Sequence, residues 1–293
     1  MKKVQVAAIQ MKMSANKDEN VSNAYSLAKK AADDGANIIL LPELFENLYF
    51  CQERNYSYYS LAEETEKSQT IKLFSKLAME TKTVIPVSFF EKSKNVFFNS
   101  VAMIDATGEI LGVYRKTHIP DDHFYQEKFY FSPGNTGFKV FDTYYGRVGV
   151  GICWDQWFPE SARCMAVKGA QILLYPTAIG SEPILEVDSK GHWQRCMQGH
   201  AAANIMPVVA ANRVGKEIVT PTEENQFQNS SLDFYGSSFI SDHTGKILKE
   251  MDRVSQGYII EEFDFDMIDN MRTDWGVFRD RRPEHYEEIS KLS

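Results

Sequence analysis

The sequence predicts an α/β fold, a four-layer α-β-β-α sandwich built from two pseudo-symmetric halves. Three observations lead there: a weak internal duplication, an order of elements that recurs around each copy, and short strands that are apolar almost throughout. The segment Gly35-Ala36-Asn37-Ile38-Ile39-Leu40-Leu41-Pro42-Glu43 resembles Gly169-Ala170-Gln171-Ile172-Leu173-Leu174-Tyr175-Pro176-Thr177. The nearly continuous Val/Ile/Leu runs are those of strands covered on both faces. A half with helices on one sheet face leaves the other face apolar, and two halves bury those faces against each other.

Each element has its own signal. In the first half, strand 4–10 precedes a helical stretch near 20–33. Strand 38–41 precedes a helix over 70–80, and strand 84–90 follows. In the second half, strand 148–153 precedes a helix over 160–168. Strand 172–175 precedes a helix over 192–204, and strand 207–211 follows. A hairpin closes each half, 102–111 and 239–248, with Thr-Gly as the turn in both. No linker or low-complexity stretch marks a boundary, so residues 1–293 are expected to form one domain with a C-terminal tail from about 275.

The 293 residues are 43% hydrophobic and 25% charged, the balance of a globular chain. A net charge of −8 without any Lys/Arg stripe argues against nucleic acid as a partner. The N-terminal apolar stretch carries Gln5 and Gln10 and stops at Lys12, so it fits a strand better than a signal peptide. No run is long enough for a membrane helix. Cys51, Cys153, Cys164 and Cys196 are scattered, with no Cys-x-x-Cys pair and no metal-ligand spacing. Reduced thiols in a cytoplasmic protein, with neither metal nor cofactor, are expected.

Five residues carry candidate chemistry. Cys153 follows the strand Val148-Gly149-Val150-Gly151-Ile152 and precedes a helix, the placement of a nucleophile elbow; a buried structural cysteine is the alternative. Glu43 follows a buried strand and a proline at the equivalent place in the first half. There it acts as a desolvated base or as half of an ion pair. Lys116, after strand 110–114, holds a thiolate and an oxyanion, or is an exposed strand-end cation. Glu127 lies in Tyr125-Gln126-Glu127-Lys128-Phe129-Tyr130-Phe131, as a site carboxylate or surface charge. His118 is a base by type, or a hydrogen-bonding support for one.

Together these residues resemble the nitrilase superfamily, whose members carry a Glu-Lys-Cys triad and usually a second Glu. Leu41-Pro42-Glu43 matches the glutamate motif, Tyr114-Arg115-Lys116 the lysine motif and Gly151-Ile152-Cys153-Trp154-Asp155 the cysteine motif. Glu127 falls where the second glutamate belongs. The resemblance covers essentially the whole chain. The segments 151–160, 175–183, 192–193, 197–200, 125–131 and 275–283 are most similar to a branch that removes a carbamoyl group from a diamine. Residues 217–234 depart from that pattern.

The resemblance implies an αββα fold and a thiol hydrolase for carbon–nitrogen bonds other than peptide bonds. It also implies a small-molecule substrate and a homo-oligomer; the aromatic and Arg-rich tail 275–286 either contributes contacts between subunits or caps its own chain. Its implied roles are nucleophile for Cys153, base for Glu43, oxyanion support from Lys116 and the backbone N–H of Trp154, and orientation by Glu127. The substrate's ammonium needs a carboxylate. Glu182 is the first candidate and Asp121 the next, with Asp122 and Asp155 behind them, while His118 and Tyr125 complete the expected pocket. Another amidase of the superfamily, acting on a substrate ending in a carboxylate, is the alternative; an inactive binding or scaffolding relative belongs to a different class.

Overall fold

The computed structural model describes residues 3–181 and 186–292. In chain order the elements are β1 (Lys3–Gln10), α1 (Lys17–Asp33), β2 (Ile38–Leu40), α2 (Gln69–Thr81), β3 (Ile85–Ser93), β4 (Val96–Ile104) and β5 (Ile110–Arg115). Then come β6 (Val140–Thr143), β7 (Gly146–Val150), α3 (Pro159–Val167), β8 (Ile172–Thr177), α4 (Lys190–Asn204) and β9 (Val208–Asn212). The last are β10 (Val214–Ile218), β11 (Ser231–Tyr235), β12 (Phe239–Ser241), β13 (Ile247–Glu250), β14 (Gly257–Asp264) and α5 (Phe265–Trp275).

Helices α1, α2 and α5 start where a side chain satisfies their first N–H groups. Asn16 accepts from Asp18 and Glu19, which starts α1 a turn earlier than its apolar spacing predicts. Ser68 accepts from Ile71 at the head of α2, Pro159 opens α3, and Asp264 accepts from Met267 at α5. The buried positions of α1, Asn20, Ala24, Ala28 and Ala31, fall on one face at helical spacing.

The second sheet runs β13-β12-β9-β8-β7-β6. In the first, β14 pairs antiparallel with β1, and β1 pairs parallel with β2. Ile39 N–H donates to Val84 and Val84 N–H to Asn37, carrying the sheet on to β3, β4 and β5. Both sheets therefore share one pattern of directions: antiparallel, parallel, parallel, antiparallel, antiparallel. The turn details repeat too. Gly35 and Gly169 both have positive φ after their helices, and Asp105 and Asp242 close the two hairpins by accepting from Gly108 and Gly245.

The duplication has four layers. Val6, Ala8, Ile38, Leu40 and Met103 of one sheet pack against Val150, Ile172, Leu174 and Val209 of the other. The alternate residues of the first sheet meet the α1 and α2 face, and those of the second meet α3 and α4. Apolar residues on both sides of each central strand explain the unbroken aliphatic runs.

Three features were not expected from sequence. The hairpin β10–β11 is inserted between β9 and β12, within the segment that departs from the family pattern. Strand β7 ends at Val150, so Cys153 opens a separate 3-10 turn over Cys153–Trp157. Strand β14 returns to edge the first sheet, the place that β6 fills in the second. Among the described residues no helix is long and apolar enough to cross a membrane. A chain cut at residue 256 should lose Phe263, Phe265 and Ile268 from the inner core and leave β1 as an open edge. It should aggregate on expression; a monodisperse fragment with native circular dichroism would contradict this.

Candidate active site

The carboxyl ends of the parallel strands open on one side of the sandwich. Glu43 follows β2, Cys153 follows β7, Ala178 follows β8, and Lys116 follows β5. At the interface between the halves, Glu43 N–H donates to the Thr177 carbonyl at 3.3 Å, so Glu43 faces the residue that holds its place in the other copy.

Lys116, Glu43 and Glu127 are fully buried. The Lys116 Nζ donates to Glu43 Oε1 at 2.8 Å and to both Glu127 oxygens at 2.7 and 2.9 Å. Asn99 Nδ2 also donates to Glu43 Oε1, at 2.7 Å, and Tyr49 donates its hydroxyl to Glu127 Oε1 at 2.7 Å. The other Glu43 oxygen, Oε2, has no partner among the described residues. Burial works against the charge on Lys116, but Glu127 and Glu43 outweigh it and hold the ammonium well above its ordinary pKa. Burial pushes Glu127 up to about 6 against the pull of Lys116.

Cys153 is buried, with Sγ 3.8 Å from the Ala178 carbonyl. Its φ is +40°, a left-handed backbone that a non-glycine residue adopts only when its surroundings hold it. Asp155 supplies that hold: Oδ2 accepts from Ile152 N–H at 3.0 Å and from the Tyr114 hydroxyl at 2.7 Å. Gly151 is required here, because a Cβ would lie 2.8 Å from the Tyr175 ring. The first N–H groups of the 3-10 turn, those of Cys153 and Trp154, stand outside its internal ladder. Burial raises the Cys153 thiol well above the usual range; Glu43 adds to this and Lys116 opposes it. A thiol so raised needs a base to react.

The remaining expected residues scatter more widely. The half-buried Tyr125 hydroxyl accepts from Gly180 N–H at 3.1 Å and donates to the Ser181 carbonyl at 3.2 Å. His118 pairs its Nδ1 with Asp155 Oδ1 at 2.7 Å and stacks on Phe158 at 3.6 Å, beneath the turn. Trp154 is 39% exposed beside Trp157. Asp121 is exposed, in a surface depression with Asp122, His123 and Arg54. Glu182 lies outside the described residues. Among those described, no group of His, Cys, Asp and Glu could hold a metal.

The family model for carbon–nitrogen hydrolases matches residues 5–273. The chain belongs to the carbon–nitrogen hydrolase family. This hydrolase is 54% identical over 290 residues to a citrullinase from Francisella tularensis, covering 99% of each chain. It is 52% identical over 287 residues to an N-carbamoylputrescine amidase from Arabidopsis thaliana, covering 98% of this chain and 95% of the relative. A crystal structure of a carbon–nitrogen hydrolase from Helicobacter pylori matches at a TM-score of 0.90 and 34% identity, covering 99% of both chains. The hydrolase is an amidase of the nitrilase superfamily.

Sequence reasoning missed Tyr49, Asn99, Arg213 and Glu217. Arg213 carried a usable signal, a charge two residues past the apolar run 207–211, as Glu43 stands two residues past the run 38–41. Asn99 is a polar residue inside an apolar strand, fully buried in the structure.

The geometry separates stability from the thiol. Lys116→Ala leaves two buried carboxylates facing each other without their cation and should cost about 3–5 kcal/mol. Cys153→Ala leaves no charge unpaired and should cost about 1 kcal/mol. Urea unfolding of the two variants measures the difference; equal losses would contradict the paired-charge account.

Proposed function

We propose that this hydrolase cleaves N-carbamoylputrescine to putrescine, carbon dioxide and ammonia through a covalent intermediate on Cys153. The observation that carries the chemistry is the unpartnered Glu43 Oε2 on a carboxylate whose other oxygen is tied to Lys116 and Asn99. In this mechanism Oε2 takes the thiol proton as Sγ attacks the ureido carbonyl. The Lys116 ammonium and the Trp154 N–H stabilise the oxyanion. The proton on Glu43 then passes to the departing nitrogen. Water, activated by the same carboxylate, attacks the thioester-like carbon and frees the enzyme, releasing a carbamic acid that breaks down to carbon dioxide and the remaining amine. Glu127 keeps Lys116 aimed at the oxyanion. Trp154, Tyr125 and His118 line or brace the pocket.

The substrate assignment draws on the relatives named as N-carbamoylputrescine amidases, at 50–52% identity. The citrullinase relative favours a second reading, citrulline, which shares the ureido group but carries a carboxylate beside its amine. The diamine reading requires a carboxylate for the distal ammonium, and Glu182 is proposed for it, with Asp121 second. We further propose that residues 1–293 act as one domain, that copies assemble into a homo-oligomer, and that the protein is cytoplasmic. The exposed Trp275 and Ile289 support assembly, and four free cysteines support a reducing compartment.

The deciding experiment is ammonia release from N-carbamoylputrescine, citrulline, N-carbamoyl-β-alanine and simple amides. N-carbamoylputrescine should give the highest kcat/KM, and Cys153→Ala and Glu43→Gln should be inactive on every substrate. Preference for citrulline would replace the substrate, while turnover by Cys153→Ala would discard the mechanism. Glu182→Gln should lower kcat/KM for the diamine substrate by about one to two powers of ten and spare a neutral ureido analogue. Equal losses on both would remove Glu182 from the ammonium site.

The pH profile offers a separate check. Glu127 is ionised above about 6, where it balances Lys116, and protonation removes that balance. The acid limb of kcat/KM should therefore fall as pH drops through about 6. A flat profile from pH 7 down to 5 would contradict the role given to Glu127.

A further inference from the structure

Beside the Cys153 group lies a buried ion pair that the reaction does not obviously need. Arg213 is fully buried between β9 and β10, and its Nη1 donates to Glu217 Oε1 at 2.8 Å. A buried guanidinium is costly unless its donors are used. Here the two terminal nitrogens are spent largely on the backbone of the other half, while Nε has no partner among the described residues. Nη2 donates to the carbonyls of Glu43 at 2.8 Å and Leu44 at 3.1 Å, and Nη1 reaches the Asn47 carbonyl at 3.3 Å. The guanidinium also sits over the rings of Tyr49 and Phe234, at 5.6 and 5.2 Å.

Glu217 extends the same contact. Its Oε2 accepts the Tyr49 N–H at 2.5 Å, and the Tyr49 hydroxyl in turn donates to Glu127. One ion pair thus reaches both carboxylates that flank Lys116, Glu43 through its own carbonyl and Glu127 through Tyr49.

The segment it grips is irregular. Strand β2 ends at Leu40, Leu44 has a φ of +47°, and no strand pairing holds residues 41–49. Without strand partners, the direction of the Glu43 side chain depends on what fixes its peptide groups. Thr177 fixes the N–H and Arg213 the carbonyl, both from the second half.

We propose that Arg213, oriented by Glu217, is a positioning residue for the hydrolysis. It sets the backbone from which Glu43 Oε2 meets the thiol, and it steadies Tyr49 against Glu127. A lysine cannot replace it, because a single ammonium does not reproduce the fork that spans two successive carbonyls. Displacements near 1 Å at a reacting group lower rates by about 100-fold, which is the scale of effect this clamp controls.

The proposal rests on Glu43 being the base. Full activity in Glu43→Gln would remove that basis, and with it both assignments. If Glu43→Gln is inactive, the Arg213 variants test the clamp alone. Arg213→Met and Glu217→Met each leave one charge buried and unpaired, so both should be destabilised. The double variant R213M/E217M removes both charges and should recover most of the lost stability in urea. Its kcat per folded molecule should nonetheless stay about 100-fold below wild type, with KM within about threefold. Arg213→Lys keeps the charge opposite Glu217 and should show the same kcat deficit. Recovery of kcat together with stability, in the double variant or in Arg213→Lys, would overturn the proposal. So would a rise in KM with kcat intact, because that would place Arg213 in shaping the pocket.

Discussion

A lysine ammonium enclosed by two carboxylates, with no water-exposed surface on any of the three, sets the terms for everything around it. Each charge in such a place is tolerable only while its partners stay within hydrogen-bond reach. The demand propagates outward. Asn99 donates to Glu43 and Tyr49 to Glu127, and Arg213 and Glu217 hold the chain that carries Glu43 and Tyr49. The thiol sits in the same field, where burial and Glu43 raise its pKa and Lys116 opposes them.

The two-fold internal likeness explains where this cluster lies. Each half ends its parallel strands at the same side, and packing the two sheets face to face brings those ends together. The halves then diverge in what they place there. One copy sets a carboxylate after its central strand and the other sets Thr177, whose carbonyl receives the carboxylate's own N–H. A symmetric scaffold thus yields an asymmetric site, with the Glu43 carboxylate from one half and the Cys153 thiol from the other.

The central strands and the four layer helices were readable because burial on both faces leaves an unmistakable aliphatic run, and helical spacing marks the covered face. Elements at the margin were not. Strand β14 carries Glu261 and Glu262 and is only half covered, while β10 and β11 mix Lys216, Glu217 and Asp233 with apolar residues. Edge strands bury one face at most, so their composition resembles loop. Glu43, Lys116, Glu127 and Cys153 could be picked out as charges or a thiol placed against buried strands, aided by resemblance to a known family. Their supports could not, since Arg213 meets Glu43 across 170 residues and Tyr49 meets Glu127 across 78. One sequence alone offers no signal for pairings of that span.

The returning strand has a consequence for how the molecule comes into being. Lys3 and Glu262, joined across β1 and β14, are 259 residues apart in sequence. During synthesis β1 emerges first and waits, with its outer edge unsatisfied, until nearly the whole chain has left the ribosome. The second sheet has its corresponding edge strand β6 made just before β7, although it is complete only with β13 at Ile247–Glu250. The newborn chain spends most of its translation with an exposed β-edge, the interval in which chaperone engagement would matter most.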